Sequence, residues 1–156
     1  SSIINKMKAI LGHVGAWAPM AEQKAVAKFL GNKKEIENYL AHFKNGLEER
    51  LRGIHAGFMK LKSEGLPVDC IAPEAAIYLT IKVDAVGKQT ADNKTLETQS
   101  DVTAYILNEA GLAVVPFYAF GSDRNNPWYR LSVGTCKKEE INEMIDKLGE
   151  ALRKLK

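Results

Sequence analysis

The sequence predicts an α+β fold, an α/β sandwich: a small mixed sheet of three to four strands with helices packed on one face, plus a long linking helix. The longest helical pattern covers residues 33–64, and the clearest strand pattern covers residues 76–85. From residue 33 the elements follow in the order helix, strand, helix, strand, strand, helix. Such interspersed short strands and helices, without an internal repeat or a low-complexity linker, are typical of a layered domain.

Composition limits the class of protein. The 156 residues are 46% hydrophobic and 26% charged, which suits one soluble domain with a core of its own. A net charge of +3, with basic and acidic residues interspersed, argues against a nucleic-acid binder. The longest apolar run, residues 110–120, is too short to cross a membrane, and no signal peptide is recognised. Cys70 and Cys136 lack metal-ligand spacing, so we expect no metal site and two reduced thiols in a cytoplasmic protein.

Two short helices are expected before residue 33. Apolar residues recur at helical spacing over residues 3–11, and a second helix over residues 19–30 begins at Pro19, a residue that suits the first turn of a helix. Between them, His13 and Trp17 could line a site. A loop histidine, and a tryptophan that caps an apolar helix end, are the commoner interpretation.

Residues 33–64 carry one apolar stripe at spacings of three and four: Ile36, Leu40, Phe43, Leu47, Leu51, Ile54, Phe58 and Leu61. A helix of about thirty residues is roughly 45 Å long, more than a compact domain of this size needs. We therefore expect this helix to contact something beyond its own domain. Coiled-coil dimerisation is the alternative, but the stripe contains two phenylalanines and lacks a sustained complementary charge pattern beside it.

The clearest strand, residues 76–85, alternates polar residues with Leu79, Ile81 and Val83. A short edge strand is expected at residues 68–71. Residues 86–100 are polar and glycine-containing, which is typical of a mobile loop or an insertion. A helix over residues 98–110 follows, and the last helix is expected over residues 137–154, with an apolar stripe and acidic residues near its positive end.

The stretch from Gly111 to Gly134 contains two further strands, residues 113–115 and 128–133. Strands 76–85 and 113–115 are joined by a helix, so they can be parallel neighbours in a right-handed crossover. Strand 128–133 follows a short turn and can run antiparallel to one of them. Arg130 lies within the second strand. A planar fork of donors held by a strand suits a carboxylate or a phosphate, but an arginine on the solvated face of an amphipathic strand is commoner.

The chain closely resembles the carboxy-terminal part of class I/II aminotransferases, the fold-type I enzymes that use pyridoxal 5′-phosphate (PLP). The matching segments, in the family's order, are AWAPMAEQKAVAKFL, the long helix, AAIYLTIKVDA, AYILNEAGLAVVPFYAFG, WYRLSVG and KKEEINEMIDKLGEALRKL. Together they cover nearly the whole chain. Within the family the chain looks most like an aspartate-aminotransferase-like enzyme.

The resemblance implies that residues 33–156 are the small domain of such an enzyme. It also implies that residues 1–32 pack near the large domain and the dimer interface of a homodimer. Arg130 falls on the arginine that binds the substrate α-carboxylate in this family. Residues 116–121 correspond to the loop beside the mouth of the site, although Phe117 stands where many relatives carry glycine.

In the family, the Schiff-base lysine and the other residues that bind PLP precede the part that this chain resembles. The resemblance therefore implies no catalytic or cofactor-binding residue here. We expect a fragment that transfers an amino group between an amino acid and a 2-oxo acid only together with its large domain, and that is inactive alone. The alternative hypothesis is a free-standing α+β protein-interaction module that binds a partner with its long helix.

Overall fold

The computed structural model describes residues 2–15 and 18–156 of the chain. The chain forms two compact units, Ser1–Phe43 and Lys44–Lys156, and the boundary between them lies inside the long helix. Within the described residues, no helix is both long and apolar enough to cross a membrane.

The first unit contains α1 (Ser2–Val14), α2 (Met20–Leu30) and the beginning of α3 (Lys33–Ser63). These helices were predicted, but α1 continues past its expected end and includes His13. Trp17, the other candidate in this region, lies outside the described residues. Apart from the half-buried Ile36, the large apolar side chains described in this unit are exposed: Ile3, Ile4, Met7, Ile10, Leu11, Val14, Met20, Val26, Phe29, Leu30, Tyr39, Leu40 and Phe43.

The second unit is built around a four-stranded sheet, which confirms the predicted α+β class. Its strands are β1 (Val68–Cys70), β2 (Tyr78–Val83), β3 (Val115–Pro116) and β4 (Trp128–Ser132). Their order across the sheet is β1-β2-β4-β3, and each neighbouring pair is antiparallel.

The predicted parallel pairing of β2 with β3 is wrong, and the sheet is therefore antiparallel rather than mixed. β4 lies between the two strands, so that Thr80 of β2 and Val115 of β3 are both cross-strand partners of Arg130. β3 begins two residues later than expected and ends at Pro116. Because proline has no N–H to donate, a strand that contains it suits the edge of a sheet and leaves the inner position to β4.

One face of the sheet packs on helices, as predicted. Leu79, Ile81 and Val83 of β2 are buried together with Tyr129 and Leu131 of β4. The helices that complete this core are the second half of α3, α4 (Gln99–Ala110) and α5 (Ile141–Arg153). They contribute Leu47, Leu51, Ile54, Phe58, Leu61, Val102, Ile106, Ile145, Leu148 and Leu152.

Local sequence signals explain the position of α4. Thr98 precedes the helix, and its hydroxyl accepts a hydrogen bond from the Asp101 amide (3.2 Å), while the Asp101 carboxylate accepts one from the Thr98 amide (2.9 Å). This reciprocal pair is a capping box. At the other end, Gly111 has a φ of 66°, the left-handed conformation that commonly ends a helix.

The segment between β2 and α4 is a loop, as predicted, but part of it is buried. Thr90 and Leu96 are 7% and 2% exposed. Gln89 forms an isolated bridge with Thr95, and its amide and carbonyl both hydrogen-bond the backbone of Lys156. The polar composition of this segment gave no indication of these contacts.

We predict that the approach of α3 to α5 depends on Gly57. A Cβ at this position would lie 2.5 Å from Cγ1 of Ile145, whereas at Gly46, in the same helix, the nearest atom is 4.0 Å away. Both alanine substitutions gain similar helix propensity. We therefore expect Gly57→Ala to be less stable than Gly46→Ala by about 1–3 kcal/mol, the usual cost of overpacking. Urea denaturation of the two variants measures this difference, and equal stabilities would contradict the close packing.

Candidate anion-binding site

Arg130 lies on the face of the sheet opposite to the core. The alternation of β4 buries Tyr129 and Leu131 and leaves Arg130 half-buried on the other face. Because β4 has a strand on each side, Arg130 is held between cross-strand neighbours, Thr80 and Val115. Its backbone is therefore fixed from both sides.

Two aromatic rings contact the guanidinium group. Its central carbon lies 4.5 Å from the ring centroid of Tyr78 and 4.5 Å from that of Phe120. Tyr78 begins β2, on one side of β4, and Phe120 ends the 3₁₀ turn Phe117–Phe120, which follows β3 on the other side. Cation–π contacts of this kind stabilise by about 0.5–2 kcal/mol each, and here they restrict the direction of the arginine side chain.

The turn that carries Phe120 is held by local contacts. Phe117 packs edge-on against Phe120, with ring centroids 6.5 Å apart and an interplanar angle of 81°. Gly121 follows with a φ of 91°, and its amide donates to the carbonyl of Tyr118 (3.1 Å). A phenylalanine at position 117 is thus compatible with this turn and supports the ring that contacts Arg130.

Within residues 2–15 and 18–156, no acceptor forms a hydrogen bond or an ion pair with the Arg130 guanidinium. Three other arginines, Arg50, Arg52 and Arg153, are bonded internally, whereas Arg124 is exposed. Arg50 donates to the carbonyls of Gly46 (2.9 Å) and Cys136 (3.1 Å), and Arg52 donates to Glu48 (2.7 Å). A half-buried guanidinium without an internal acceptor can bind an external carboxylate or phosphate.

Lys82 is a second cation on the same sheet face, but its charge is compensated. Its ammonium group lies 2.9 Å from the Asp84 carboxylate, and Asp69 is its cross-strand partner in β1. The hydrogen bond that Asp69 accepts from Lys62 (2.7 Å) lowers the pKa of Asp69 and keeps it ionised beside Lys82. Arg130 is therefore the better anion-binding group on this face.

A buried hydrogen bond on the core side fixes β4. The Tyr129 hydroxyl donates to Oε1 of Gln99 over 2.6 Å, and both residues are buried. The amide nitrogen of the Gln99 side chain is 3.4 Å from the carbonyl of Asn125, in the loop that leads into β4. Burial raises the pKa of Tyr129 to about 12. This contact ties the strand that carries Arg130 to the first turn of α4.

The candidates that the sequence singled out belong to different units of the chain. Arg130 lies in the second unit, whereas His13 lies in α1 of the first unit, where its Nδ1 is 2.7 Å from the carbonyl of Ala9 in the same helix. Sequence reasoning missed the roles of Tyr78, Phe120 and Gln99. The alternation of polar and apolar residues in β2 placed Tyr78 on the face opposite to the core. This pattern could have indicated that Tyr78 shares a face with Arg130.

Comparison with known proteins identifies similar sequences. The model of the family "Aminotransferase class I and II" matches residues 1–148. The aspartate aminotransferase of Rhizobium meliloti (strain 1021) is 36% identical over 89 residues, which are 56% of this chain and 21% of that protein. The probable aspartate/prephenate aminotransferase of Rickettsia typhi is 29% identical over 119 residues, 71% of this chain and 29% of that protein.

Solved structures of aminotransferases have a similar fold. The aspartate aminotransferase from Rhizobium meliloti matches with a TM-score of 0.63 and 28% identity, over 76% of this chain and 28% of that chain. An α-aminoadipate aminotransferase from Thermus thermophilus, complexed with N-(5′-phosphopyridoxyl)-L-leucine, matches with a TM-score of 0.66 over 97% of this chain and 35% of that one. At 19% identity this second match shows the fold alone. This chain thus spans between 21% and 35% of the length of these proteins.

We predict that Tyr129→Phe lowers the free energy of unfolding by about 1–3 kcal/mol, because the Gln99 oxygen loses its partner in a buried position. Urea denaturation at neutral pH measures this loss. Tyr39→Phe is the matched control, since Tyr39 is exposed and its substitution should leave stability unchanged. Equal stabilities of the two variants would show that the buried hydrogen bond contributes nothing.

Because its pKa is raised on folding, Tyr129 should also make the free energy of unfolding depend on pH. The Tyr129 pKa rises from 10 to about 12 on folding, so the unfolded chain loses this proton first. The contribution of the neutral phenol is fully present below pH 10 and is lost as the pH rises towards 12. Over this window the stabilising effect of Tyr129 relative to Phe should fall by roughly 2–3 kcal/mol. If the difference in free energy of unfolding between Tyr129→Phe and the unsubstituted protein stays constant up to pH 12, this pH dependence is contradicted.

Proposed function

The chain belongs to the class I and II aminotransferase family, and we propose that it is the carboxy-terminal small domain of a transaminase that uses PLP. In this proposal residues 33–156 form the small domain, and residues 1–32 pack near the large domain and the dimer interface. The family match over residues 1–148 supports it, as does the greater length of the relatives. The exposed apolar side chains of α1 and α2 are what docking on a further domain requires.

The reaction transfers an amino group between an amino acid and a 2-oxo acid. Aspartate is the amino donor that we assign, because aspartate aminotransferases and probable aspartate/prephenate aminotransferases are among the similar proteins. The enzyme acts as a cytoplasmic homodimer in this proposal. Free thiols at Cys70 and Cys136 are compatible with a reducing compartment.

Arg130 binds the α-carboxylate of the substrate. The observation that carries this assignment is a half-buried guanidinium that contacts two rings and has no acceptor in the described part of the chain. Two parallel N–H···O bonds would fix the carboxylate in the guanidinium plane. Such a clamp sets the orientation of the substrate's α-carbon relative to the rest of the active site, and orientation contributes a large share of catalysis.

The side chains around Arg130 suit a substrate carboxylate but do not fit PLP itself. PLP requires a lysine amine for covalent attachment, and Lys82, on the same sheet face, is ion-paired with Asp84 at 2.9 Å. We therefore assign no cofactor-binding residue and no catalytic residue to this chain, and place the cofactor site in the large domain. When bound there, PLP supplies the electron sink that weakens the bonds of the substrate's α-carbon.

We predict that Arg130→Lys in the full-length enzyme weakens amino-acid binding and leaves the bound cofactor in place. A lysine cannot form the bidentate pair, and the loss of about 1.5–3 kcal/mol corresponds to a roughly 10–100-fold decrease in kcat/KM. Steady-state kinetics with aspartate measures the decrease, and the absorbance of the bound cofactor reports its retention.

Arg124→Lys is the control for this substitution, because Arg124 is exposed in the loop before β4. It should leave kcat/KM unchanged. A similar kcat/KM for both variants and the unsubstituted enzyme would exclude Arg130 as the carboxylate-binding residue.

A second prediction concerns residues 1–156 alone. Without the groups that attach PLP, this polypeptide should produce no glutamate from aspartate and 2-oxoglutarate beyond the rate of free PLP. A coupled assay with added PLP tests this. Turnover above the free-cofactor rate would contradict the assignment of the cofactor site to the large domain.

A further inference from the structure

The surroundings of the Arg130 guanidinium leave few directions open to a ligand. Tyr78 approaches from β2 and Phe120 from the turn after β3, and each ring centroid is 4.5 Å from the guanidinium carbon. β4 lies between these two elements, so the rings reach the guanidinium from opposite sides of the strand that carries it. Thr80 and Val115 occupy the neighbouring positions of the sheet.

We propose that Tyr78 and Phe120 cover the two faces of the Arg130 guanidinium and leave its N–H edge open to a ligand. The rings thereby make Arg130 selective for planar carboxylates over tetrahedral oxyanions such as phosphates and phosphonates. This inference rests on the proposed function of Arg130 and adds two specificity-determining residues to it. A bidentate carboxylate lies in the plane of the guanidinium and needs a slot no thicker than the group itself. A tetrahedral anion that accepts hydrogen bonds from the same edge with two of its oxygens must place its two remaining substituents above and below that plane.

The charge distribution of the rings reinforces this steric argument. The face of an aromatic ring is negative and its edge is positive. The faces that attract the arginine cation therefore repel any anionic oxygen that leaves the guanidinium plane. A coplanar carboxylate keeps both of its oxygens away from the ring faces, so it receives the full benefit of the cation without this repulsion.

Both rings can be changed without opening the core. Tyr78 is 41% exposed and Phe120 is 56% exposed, and neither belongs to the buried cluster. Phe120 is positioned by the edge contact with Phe117 and by the left-handed Gly121. Alanine at position 120 should therefore remove one wall of the slot and leave the fold intact.

Acetate and methylphosphonate are matched probes for the test. They share a methyl group and differ in the planar or tetrahedral shape of the anion, and the pH is chosen so that methylphosphonate carries a single charge. The ¹⁵N-labelled chain of residues 1–156 is titrated with each anion at constant ionic strength. The readout is the Nε–Hε signal of Arg130, assigned by its disappearance in Arg130→Gln.

We expect acetate to bind more tightly than methylphosphonate by about tenfold, which corresponds to a difference of about 1.4 kcal/mol in binding free energy. Phe120→Ala should reduce this preference at least severalfold, and Phe120→Tyr, which keeps a ring, should retain it. Tyr78→Ala tests the other wall, with the same expected loss.

The outcomes separate this inference from the proposed function. If acetate binds but methylphosphonate binds equally well, or if Phe120→Ala and Tyr78→Ala keep the preference, the rings are not specificity determinants and Arg130 still binds carboxylates. If neither anion shifts the Arg130 signal, both the ring selectivity and the carboxylate assignment are overturned.

Discussion

The fold and the candidate site both depend on the position of β4 between β2 and β3. An inner strand shows one row of side chains to the core and the other row to the opposite face. On the core side, Tyr129 is tied to Gln99 by a buried hydrogen bond. On the other side, Arg130 is held between β2, which carries Tyr78, and β3, which is followed by the turn that carries Phe120. A single five-residue strand therefore links the packing of the domain to the geometry of its charged group.

Much of the fold could be predicted because its signals are local. The stripe of α3, the alternation of β2 and the stop at Gly111 each depend on neighbouring residues, and the structure has these elements close to their expected bounds. The order of the strands was not predictable in the same way. It depends on which strands have free backbone N–H groups to pair with a neighbour. Pro116 lacks this group and so limits the pairing of β3, an effect that the periodicity of the sequence does not show. The burial of Thr90 and Leu96 was hidden for a similar reason, since it comes from contacts with distant parts of the chain.

The candidate site was also only partly predictable from the sequence. Composition and spacing found Arg130 but left open whether it is a solvated surface residue or an anion ligand. The resemblance to aminotransferases favoured the second interpretation. The structure adds the two rings and shows no acceptor for the guanidinium among residues 2–15 and 18–156. These partners come from elements far apart in the sequence, so no local pattern could have joined them. Gln99 was missed because a polar residue at the start of a helix is expected to be solvated.

The edges of the sheet have a consequence for self-association. A sheet with exposed apolar residues such as Tyr78 and Val115 on one face is a hazard if its outer strands can pair with those of another molecule. β3 has only two residues, one of which is Pro116, so it offers almost no backbone donors to an incoming strand. β1 is three residues long and carries Asp69 in an ion pair with Lys62. Edge strands that are short, charged or proline-containing protect a polypeptide against amyloid-like growth.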